Sequence, residues 1–317
     1  MVQLLAAREA RGPLNVLYLV TLAHLLYALA RQCGLSARVA WLTVGLAISQ
    51  PMTAALGFSM QTELASAMVI VAAAFFIQST SAVSATRDLV TVAVLCAFAL
   101  GLKISNLIYV GPLAVWFLVR ASRLPWRGIA PALALAVMVG GSSYCYSALL
   151  AGNPVLPLYN DLFGSEFFDA SRLRIPRYVG LLSWDVPWRL VMDTSTFFES
   201  WDGSSGFQWL VLLGPMLLAA RNVKLRPLLV VGLIGTATLF NQMQYLRYLY
   251  PGLMLLSVPL LGGLGRGAQA RLFLGVIVTL MLANLAFMTN SHWQARDGAL
   301  GKVLGVTRGE RAWLAEV

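Results

Sequence analysis

The sequence GNPVLPLYNDLFGSEFFDAS, residues 152–171, opens the only long polar interruption in an otherwise apolar chain of 317 residues. The interruption extends over residues 151–206. It contains seven of the thirteen acidic residues: Asp161, Glu166, Asp169, Asp185, Asp193, Glu199 and Asp202. Outside it, the chain consists of apolar stretches joined by short links. This pattern predicts membrane-spanning helices arranged around one large loop.

The composition indicates the class of protein. Hydrophobic residues make up 59% of the chain and charged residues 11%, whereas a soluble domain has about 25% charged residues. So few charges cannot give a folded chain a polar surface, and we expect an integral membrane protein. The formal net charge of +10 is explained by Lys and Arg in cytoplasmic links and not by nucleic acid binding. Cys33, Cys96 and Cys145 match no metal-ligand spacing and are interpreted as packing residues.

A helix needs about 20 mostly apolar residues to cross a bilayer. Ten stretches approach this length: residues 13–31, 38–57, 62–79, 88–105, 106–121, 127–150, 207–221, 226–242, 246–265 and 271–290. Near Ser105 and Asn106, where Lys103 interrupts the apolar run, a tight hairpin fits the length better than one helix. We therefore predict an all-α fold, a polytopic transmembrane bundle of about ten spans with one large extracytoplasmic loop, as a single membrane-embedded domain over residues 1–317.

The basic residues predict the orientation of the bundle. Eleven of them lie in one alternate set of links: Arg31, Arg38, Arg87, Arg120, Arg123, Arg127, Arg221, Lys224, Arg226, Arg266 and Arg271. The short links of the other set carry only Lys103 and Arg247. Because Lys and Arg are enriched in cytoplasmic links, the loop 151–206 and the tail 291–317 are predicted to be extracytoplasmic.

The prolines of the large loop restrict its backbone. Pro154 and Pro157 exclude a regular helix and predict an extended path, and Asn153 is a turn former. Two interpretations stay open: a rigid exit from a membrane helix, or a stiff segment that lines a cavity at the membrane surface. Further along, side chains at helical spacing after Asp185, a plausible cap, predict an interfacial helix that reaches towards Gly203: Trp188, Val191, Phe198 and Trp201.

Three ionisable residues lie at predicted outer ends of spans. Each has an ordinary structural explanation: Glu63 favours a helix N-terminus after the cap Thr62, Lys103 extends towards water, and Arg247 belongs to an aromatic belt with Tyr245. Together, one carboxylate and two cations suit the anionic phosphate of a lipid. Because ionisable groups near lipid are costly to leave unpaired, we expect Glu63, Lys103 and Arg247 to converge in one outer cavity.

Four segments resemble those of a known family. They are Ser49-Gln50-Pro51 followed by Thr62-Glu63-Leu64, Ala99–Ser105 (ALGLKIS), Gly152–Pro157 (GNPVLP) with Asn160, and Arg247–Gly252 (RYLYPG). Together they resemble the polytopic GT-C glycosyltransferases, membrane enzymes that use polyprenyl-phosphate-linked sugars.

This resemblance implies a multi-pass protein of the bacterial inner membrane. It implies transfer of a sugar from a polyprenyl-phosphate donor to a glycan, lipid or protein acceptor outside the cytoplasm. Substrate binding would fall to Lys103, Asn153, Tyr159, Asn160, Tyr245 and Arg247. Glu63 would assist catalysis or hold a divalent cation. The family's catalytic aspartate follows a first span, and neither is found here, so we expect an N-terminally truncated chain with little or no activity of its own.

Two other functions share part of this pattern. A polysaccharide polymerase or ligase would also have many spans, a large outer loop and outer arginines. A flippase or transporter for lipid-linked sugars would carry charges at mid-membrane, and the span-end positions of Glu63, Lys103 and Arg247 argue against it. The sequence contains no Ser-His-Asp arrangement, Walker loop or dinucleotide glycine fingerprint.

Overall fold

A computed structural model of the chain describes residues 11–57, 59, 61–81, 83–121, 125–168, 183–197, 202–263 and 269–288. Within these ranges the regular structure is helical, with no strand. The predicted all-α class is therefore confirmed.

The helices of the first half are α1 (Arg11–Gln32), α2 (Ala37–Ile48), α3 (Pro51–Gly57), α4 (Glu63–Ser79), α5 (Ala85–Leu102), α6 (Leu107–Ala121) and α7 (Ile129–Ala151). Those of the second half are α8 (Asn160–Phe163), α9 (Val186–Met192), α10 (Gln208–Val211), α11 (Leu213–Leu218), α12 (Arg226–Gln242), α13 (Leu246–Gly262) and α14 (Gln269–Ala286). Short 3-10 turns cover Ile104–Asn106, Trp126–Gly128, Thr194–Thr196 and Ala219–Arg221.

The centre of the bundle is formed by α4 and α13. Both are apolar on all sides and buried along most of their length, as expected of core helices. They pack against each other. Around them, α1, α5 and α6 contact α4, while α2 and α12 contact α13.

At the periphery, α7 packs against α5 and is otherwise open. Among its residues only Ala132 and Gly140 are buried, and large apolar side chains are exposed: Leu133, Leu135, Val137, Met138, Tyr146, Leu149 and Leu150. Gly140 lets the two helices approach closely, because a Cβ there would overlap the carbonyl oxygen of Ala97. A long exposed apolar surface of this kind is suited to contact with lipid.

Several helices can cross a membrane. Four are long and apolar enough: Gly12–Gln32, Ala85–Leu102, Ile104–Ala121 and Trp126–Ala151. A fifth is added if α2 and α3, which are bent by 65° relative to each other, count as one broken span. Shorter apolar helices cover Glu63–Ser79, Leu246–Gly262 and Leu272–Ala286. These features indicate a multi-pass membrane protein, and the number ten stays a prediction.

The break predicted near Ser105 and Asn106 is confirmed and lies at Lys103, whereas the predicted span 207–221 is not one helix. At the first position, α5 ends at Leu102, Lys103 adopts an extended backbone and a 3-10 turn leads into α6. At the second, α10, α11 and a 3-10 turn follow one another. Pro215 accounts for the interruption, because its ring and missing N–H are incompatible with a helical hydrogen bond to the carbonyl of Val211.

The large loop departs from its predicted conformation in two places. The stretch after Asn153 forms consecutive turns instead of an extended path, with Leu158 N–H donating to the carbonyl oxygen of Val155 at 2.9 Å. The predicted interfacial helix ends early, at Met192. There Thr194 Oγ1 donates to the carbonyl oxygens of Leu190 and Val191 and satisfies the helix end. Three predicted features lie outside the described residues: Phe198, Trp201 and the tail 291–317.

Neither predicted helix cap forms a capping hydrogen bond. Thr62 and Asp185 both occupy N-cap positions, but neither side chain accepts from the helix backbone. Asp185 instead accepts a hydrogen bond from the Ser183 hydroxyl, which holds the pKa of its carboxyl below the usual value.

Candidate functional site

Three helix ends meet at the predicted site. Glu63 is the first residue of α4, Lys103 follows the last residue of α5, and Arg247 lies in the first turn of α13. Tyr245 and Tyr248 flank Arg247. We refer to these five residues as the Glu63 cluster.

Both cations of the cluster approach the same carboxylate oxygen. Lys103 Nζ donates to Glu63 Oε1 at 2.7 Å, and Arg247 Nε lies 3.8 Å from that oxygen. The Glu63 side chain is 5% exposed, whereas those of Lys103 and Arg247 are 24% and 20% exposed. The expected convergence of the three residues is therefore confirmed. A buried negative charge is shared by two partly accessible positive charges.

Two tyrosines form the wall of the cluster. Lys103 Nζ lies 3.2 Å from the ring centroid of Tyr248, and Arg247 Cζ lies 4.3 Å from that of Tyr245. The two rings stack on each other, with centroids 5.3 Å apart. These cation–π contacts hold both cations over apolar surface. Tyr248 was not among the predicted site residues. It lies in the first turn of α13, and Tyr245 is the N-cap residue of that helix.

Two asparagines outside the predicted site hold the surrounding backbone in place. Asn106 Nδ2 donates to Ser66 Oγ at 2.9 Å and to the carbonyl oxygen of Ala99 at 2.7 Å, which links α4, α5 and the turn before α6. Asn15 Nδ2 donates to the carbonyl oxygens of Gly57 and Ser59, in the link that leads to Glu63. The residues around Glu63 and Lys103 are thus positioned by buried hydrogen bonds.

The large loop touches the helix that carries Arg247. The backbone N–H of Leu246 donates to the carbonyl oxygen of Phe197 at 2.9 Å. The Phe197 side chain is buried and packs against Phe240 of α12, with ring centroids 5.4 Å apart. This end of the loop is therefore fixed to the start of α13.

The predicted loop residues form a second, separate group. Asn153 Nδ2 donates to the carbonyl oxygen of Leu158 and to Asn160 Oδ1, and Asn160 Nδ2 donates to the carbonyl oxygens of Ser165 and Phe168. Both amides are buried and form these bonds within the loop. Tyr159 lies between them with an exposed side chain and a left-handed backbone, φ 53°. The asparagines thus stabilise the turn that displays Tyr159.

The charged groups around Glu63 do not favour binding of a divalent cation. The carboxylate already faces Lys103 and Arg247, whose charges would repel a metal ion. No group of three or more His, Cys, Asp or Glu residues suited to a metal ion occurs in the described part of the chain. We therefore derive no step through a metal.

The cysteines differ in their surroundings. Cys33 is buried and its Sγ contacts the carbonyl oxygen of Lys224 at 3.6 Å, as a packing residue should. Burial raises the pKa of the Cys33 thiol to about 12. Cys96 is partly buried and Cys145 is exposed on α7, so the packing interpretation does not hold for Cys145.

No protein-family model, curated protein or solved structure matches the chain.

Proposed function

We propose that the chain is a membrane glycosyltransferase of the GT-C type that binds the phosphate of a polyprenyl-phosphate-linked sugar at the Glu63 cluster. It would transfer the sugar to a glycan, lipid or protein acceptor at the extracytoplasmic face of a bacterial inner membrane. One observation carries the proposal: Lys103 and Arg247 share the single buried carboxylate of Glu63.

The charges of the cluster suit a phosphodiester. Two cations and one carboxylate leave a net charge of +1, and a polyprenyl-phosphate-linked sugar carries one negative charge on its phosphate. Arg247 offers a planar fork for two phosphate oxygens, and Lys103 offers a point charge. Both cations are partly exposed, so they can contact a ligand without leaving Glu63.

The place of the cluster in the bundle favours a ligand with its head group at the membrane surface. Glu63, Lys103 and Arg247 all lie at helix ends. A transporter requires charges along its path through the membrane centre, so this arrangement favours an enzyme over a flippase. The predicted ten spans, with the large loop outside, would provide the matching orientation.

The proposed reaction breaks the bond between the anomeric carbon of the sugar and the phosphate oxygen. The electron pair stays with the departing polyprenyl phosphate, while the acceptor oxygen forms a bond to the anomeric carbon and gives its proton to a base. Lys103 and Arg247 would stabilise the charge that develops on the phosphate. Glu63 would position both cations, and we assign the base to none of the described residues.

Binding of a sugar-free ligand tests the phosphate site directly. The probe is undecaprenyl methyl phosphate, a phosphodiester with one negative charge, added to the purified protein in lipid nanodiscs. Lys103→Ala should weaken binding at least tenfold, because a charge-assisted hydrogen bond contributes about 1.5–3 kcal/mol. Lys224→Ala, at an exposed lysine, is the control. Equal affinities of the two variants would refute the phosphate site.

Transfer is measured separately, with radiolabelled undecaprenyl-phosphate-linked sugars and a membrane glycan fraction as acceptor. Formation of labelled glycan by the native protein, but not by Lys103→Ala, would support the proposed transferase activity. Movement of the labelled lipid between leaflets without transfer would favour the transporter.

A further inference from the structure

A second polar region lies where α2 and α3 are bent. Five neutral side chains meet there, and we refer to them as the amide junction: Ser49, Gln50, Gln208, Trp209 and Asn284. They come from the bend itself, from α10 and from α14. Four are buried and Trp209 is partly buried. A break in a membrane helix needs polar partners of this kind or a ligand.

Hydrogen bonds connect the members of the junction. Trp209 Nε1 donates to Gln50 Oε1 at 3.2 Å. Asn284 Nδ2 donates to Gln208 Oε1 at 2.8 Å and to Ser49 Oγ at 3.2 Å. The backbone N–H of Phe207 donates to Asn284 Oδ1 at 3.0 Å.

These bonds determine which way each glutamine amide points. An indole N–H can only donate, so Gln50 must present its oxygen to Trp209 and direct its NH2 group elsewhere. The Phe207 N–H likewise donates to the Asn284 side-chain oxygen and so determines the orientation of that amide. The Asn284 NH2 group then points at Gln208, which must accept with its side-chain oxygen. Rotating either glutamine amide by 180° would place two donors against each other.

As a consequence, the junction contains two unmatched donors. Gln50 Nε2 and Gln208 Nε2 are fully buried and have no hydrogen-bond partner within the described residues. Leaving a buried donor unpaired is unfavourable. A ligand with acceptor oxygens would satisfy both donors.

We infer that the amide junction binds the hydroxyl groups of the transferred sugar. No side chain of the junction is ionisable, so a charged ligand would be buried there without a counter-ion. A sugar is neutral, and its hydroxyl oxygens accept hydrogen bonds from amide NH2 groups. The inference rests on the proposed function: the Glu63 cluster takes the phosphate and the amide junction takes the sugar.

The two sites belong to one packed unit. In the sequence, α3 lies between Gln50 and Glu63, and its seven residues span about 10 Å. Tyr250 OH donates to Thr53 Oγ1 at 3.1 Å, which joins α3 to the helix that carries Arg247. Tyr250 lies three residues after Arg247 and Thr53 lies three residues after Gln50, about one helical turn in each helix, so this contact links the helix that carries Arg247 to the helix that follows Gln50.

A glycine turn covers the junction. Gly203 and Gly206 have positive φ values of 83° and 93°, which favour glycine. Met52 N–H donates to the carbonyl oxygen of Ser204 at 3.0 Å and fastens the turn to α3. A Cβ on Gly206 would overlap the amide of Gln208. Because Gln50 and Gln208 are fully buried, entry of the sugar requires this turn to shift.

The test compares phosphodiesters that differ only in the sugar. The probes are undecaprenyl methyl phosphate and undecaprenyl-phosphate-linked glucose, galactose, mannose and N-acetylglucosamine, each bound to the protein in nanodiscs. The native protein should bind at least one glycosylated probe roughly three- to tenfold more tightly than the methyl diester. Gln50→Met and Gln208→Met should abolish that difference and leave the affinity for the methyl diester unchanged. Gln242→Met, at an exposed glutamine of α12, is the control.

The outcomes separate this inference from the proposed function. Methyl diester binding that does not depend on Lys103 overturns the phosphate site. If methyl diester binding depends on Lys103, two results would overturn the sugar site alone. One is an equal affinity for all probes, and the other is a sugar preference that persists in both methionine variants. If the methionine variants do not fold, Trp209→Phe replaces them. It removes the indole N–H that orients the Gln50 amide and keeps an aromatic ring at a partly buried position, so the sugar preference should fall, and an unchanged preference would overturn the inference.

Discussion

Lys103 Nζ lies 2.7 Å from Glu63 Oε1, although forty residues separate the two in the sequence. The pair joins the start of α4 to the end of α5, and Arg247 of α13 approaches the same oxygen to 3.8 Å. Removing the carboxylate would leave two partly buried cations close together without a counter-ion. Glu63 is therefore both a structural link between helix ends and the residue that sets the charge of the site.

Glu63→Gln should destabilise the protein and increase its response to an anion. The loss of the shared counter-ion should cost about 3 kcal/mol, detected as a lower apparent Tm in detergent. Undecaprenyl methyl phosphate should then raise the Tm of the variant more than that of the native protein, because its phosphate replaces the missing negative charge. Glu166→Gln, at an exposed residue of the loop, is the control. An equal ligand-induced shift in the variant and the native protein would contradict this role of Glu63.

The planar guanidinium group of Arg247, and not only its positive charge, should contribute to phosphate binding. Arg247→Ala should weaken binding of undecaprenyl methyl phosphate at least tenfold, because a charge-assisted hydrogen bond contributes about 1.5–3 kcal/mol. Arg247→Lys should recover only part of the loss, since lysine keeps the charge but not the planar fork or its contact with Tyr245. Arg38→Ala, at an exposed arginine of α2, should bind normally. Complete recovery by lysine would mean that only the charge matters.

The part of the site that could be predicted is the part governed by charge near lipid. Ionisable residues are rare in an apolar chain, so Glu63, Lys103 and Arg247 stand out, and the cost of isolating them predicts that they meet. A break near Ser105 and Asn106 is predicted from length, because one helix there would exceed the length that a span needs, and the structure places that break at Lys103. These conclusions need no knowledge of which neighbours lie beside each helix.

The rest depends on tertiary neighbours that leave little signal in the sequence. Asn15, Asn106 and Asn284 look like isolated polar residues, and their roles follow only from the carbonyl and amide groups that the fold brings to them. The hydrogen bonds that Trp209 donates to Gln50 and that Asn284 donates to Ser49 join positions 159 and 235 residues apart. The apolar composition of residues 207–221 predicts one span, but composition alone does not show that Pro215 interrupts the preceding turn.

Two adjacent glycines of α7 should respond in opposite ways to the same substitution. Gly140→Ala should destabilise the protein by about 1–3 kcal/mol, because the added methyl group meets the backbone carbonyl of Ala97. Gly141→Ala meets only Val137 at an ordinary distance of 3.7 Å, and it should be neutral or stabilising through its better helix propensity. The apparent Tm in detergent compares the two. Equal values would show that α5 and α7 do not pack through Gly140.

Cysteine labelling should reveal the orientation of the bundle. Trp184 in the loop 151–206 and Val223 in the link beside Lys224 are both exposed, and the distribution of Lys and Arg predicts that they lie on opposite sides of the membrane. An impermeant maleimide should label Trp184→Cys in intact cells and Val223→Cys only after permeabilisation. The native cysteines should give little background. Cys33 is buried, which raises the pKa of its thiol to about 12 and disfavours the reactive thiolate. Cys96 and Cys145 lie within α5 and α7, two helices that are long and apolar enough to span the membrane. Denaturation in detergent should expose Cys33 and serves as the positive control for the reagent. Labelling of Val223→Cys in intact cells, with Trp184→Cys protected, would reverse the orientation and place the Glu63 cluster at the cytoplasmic face.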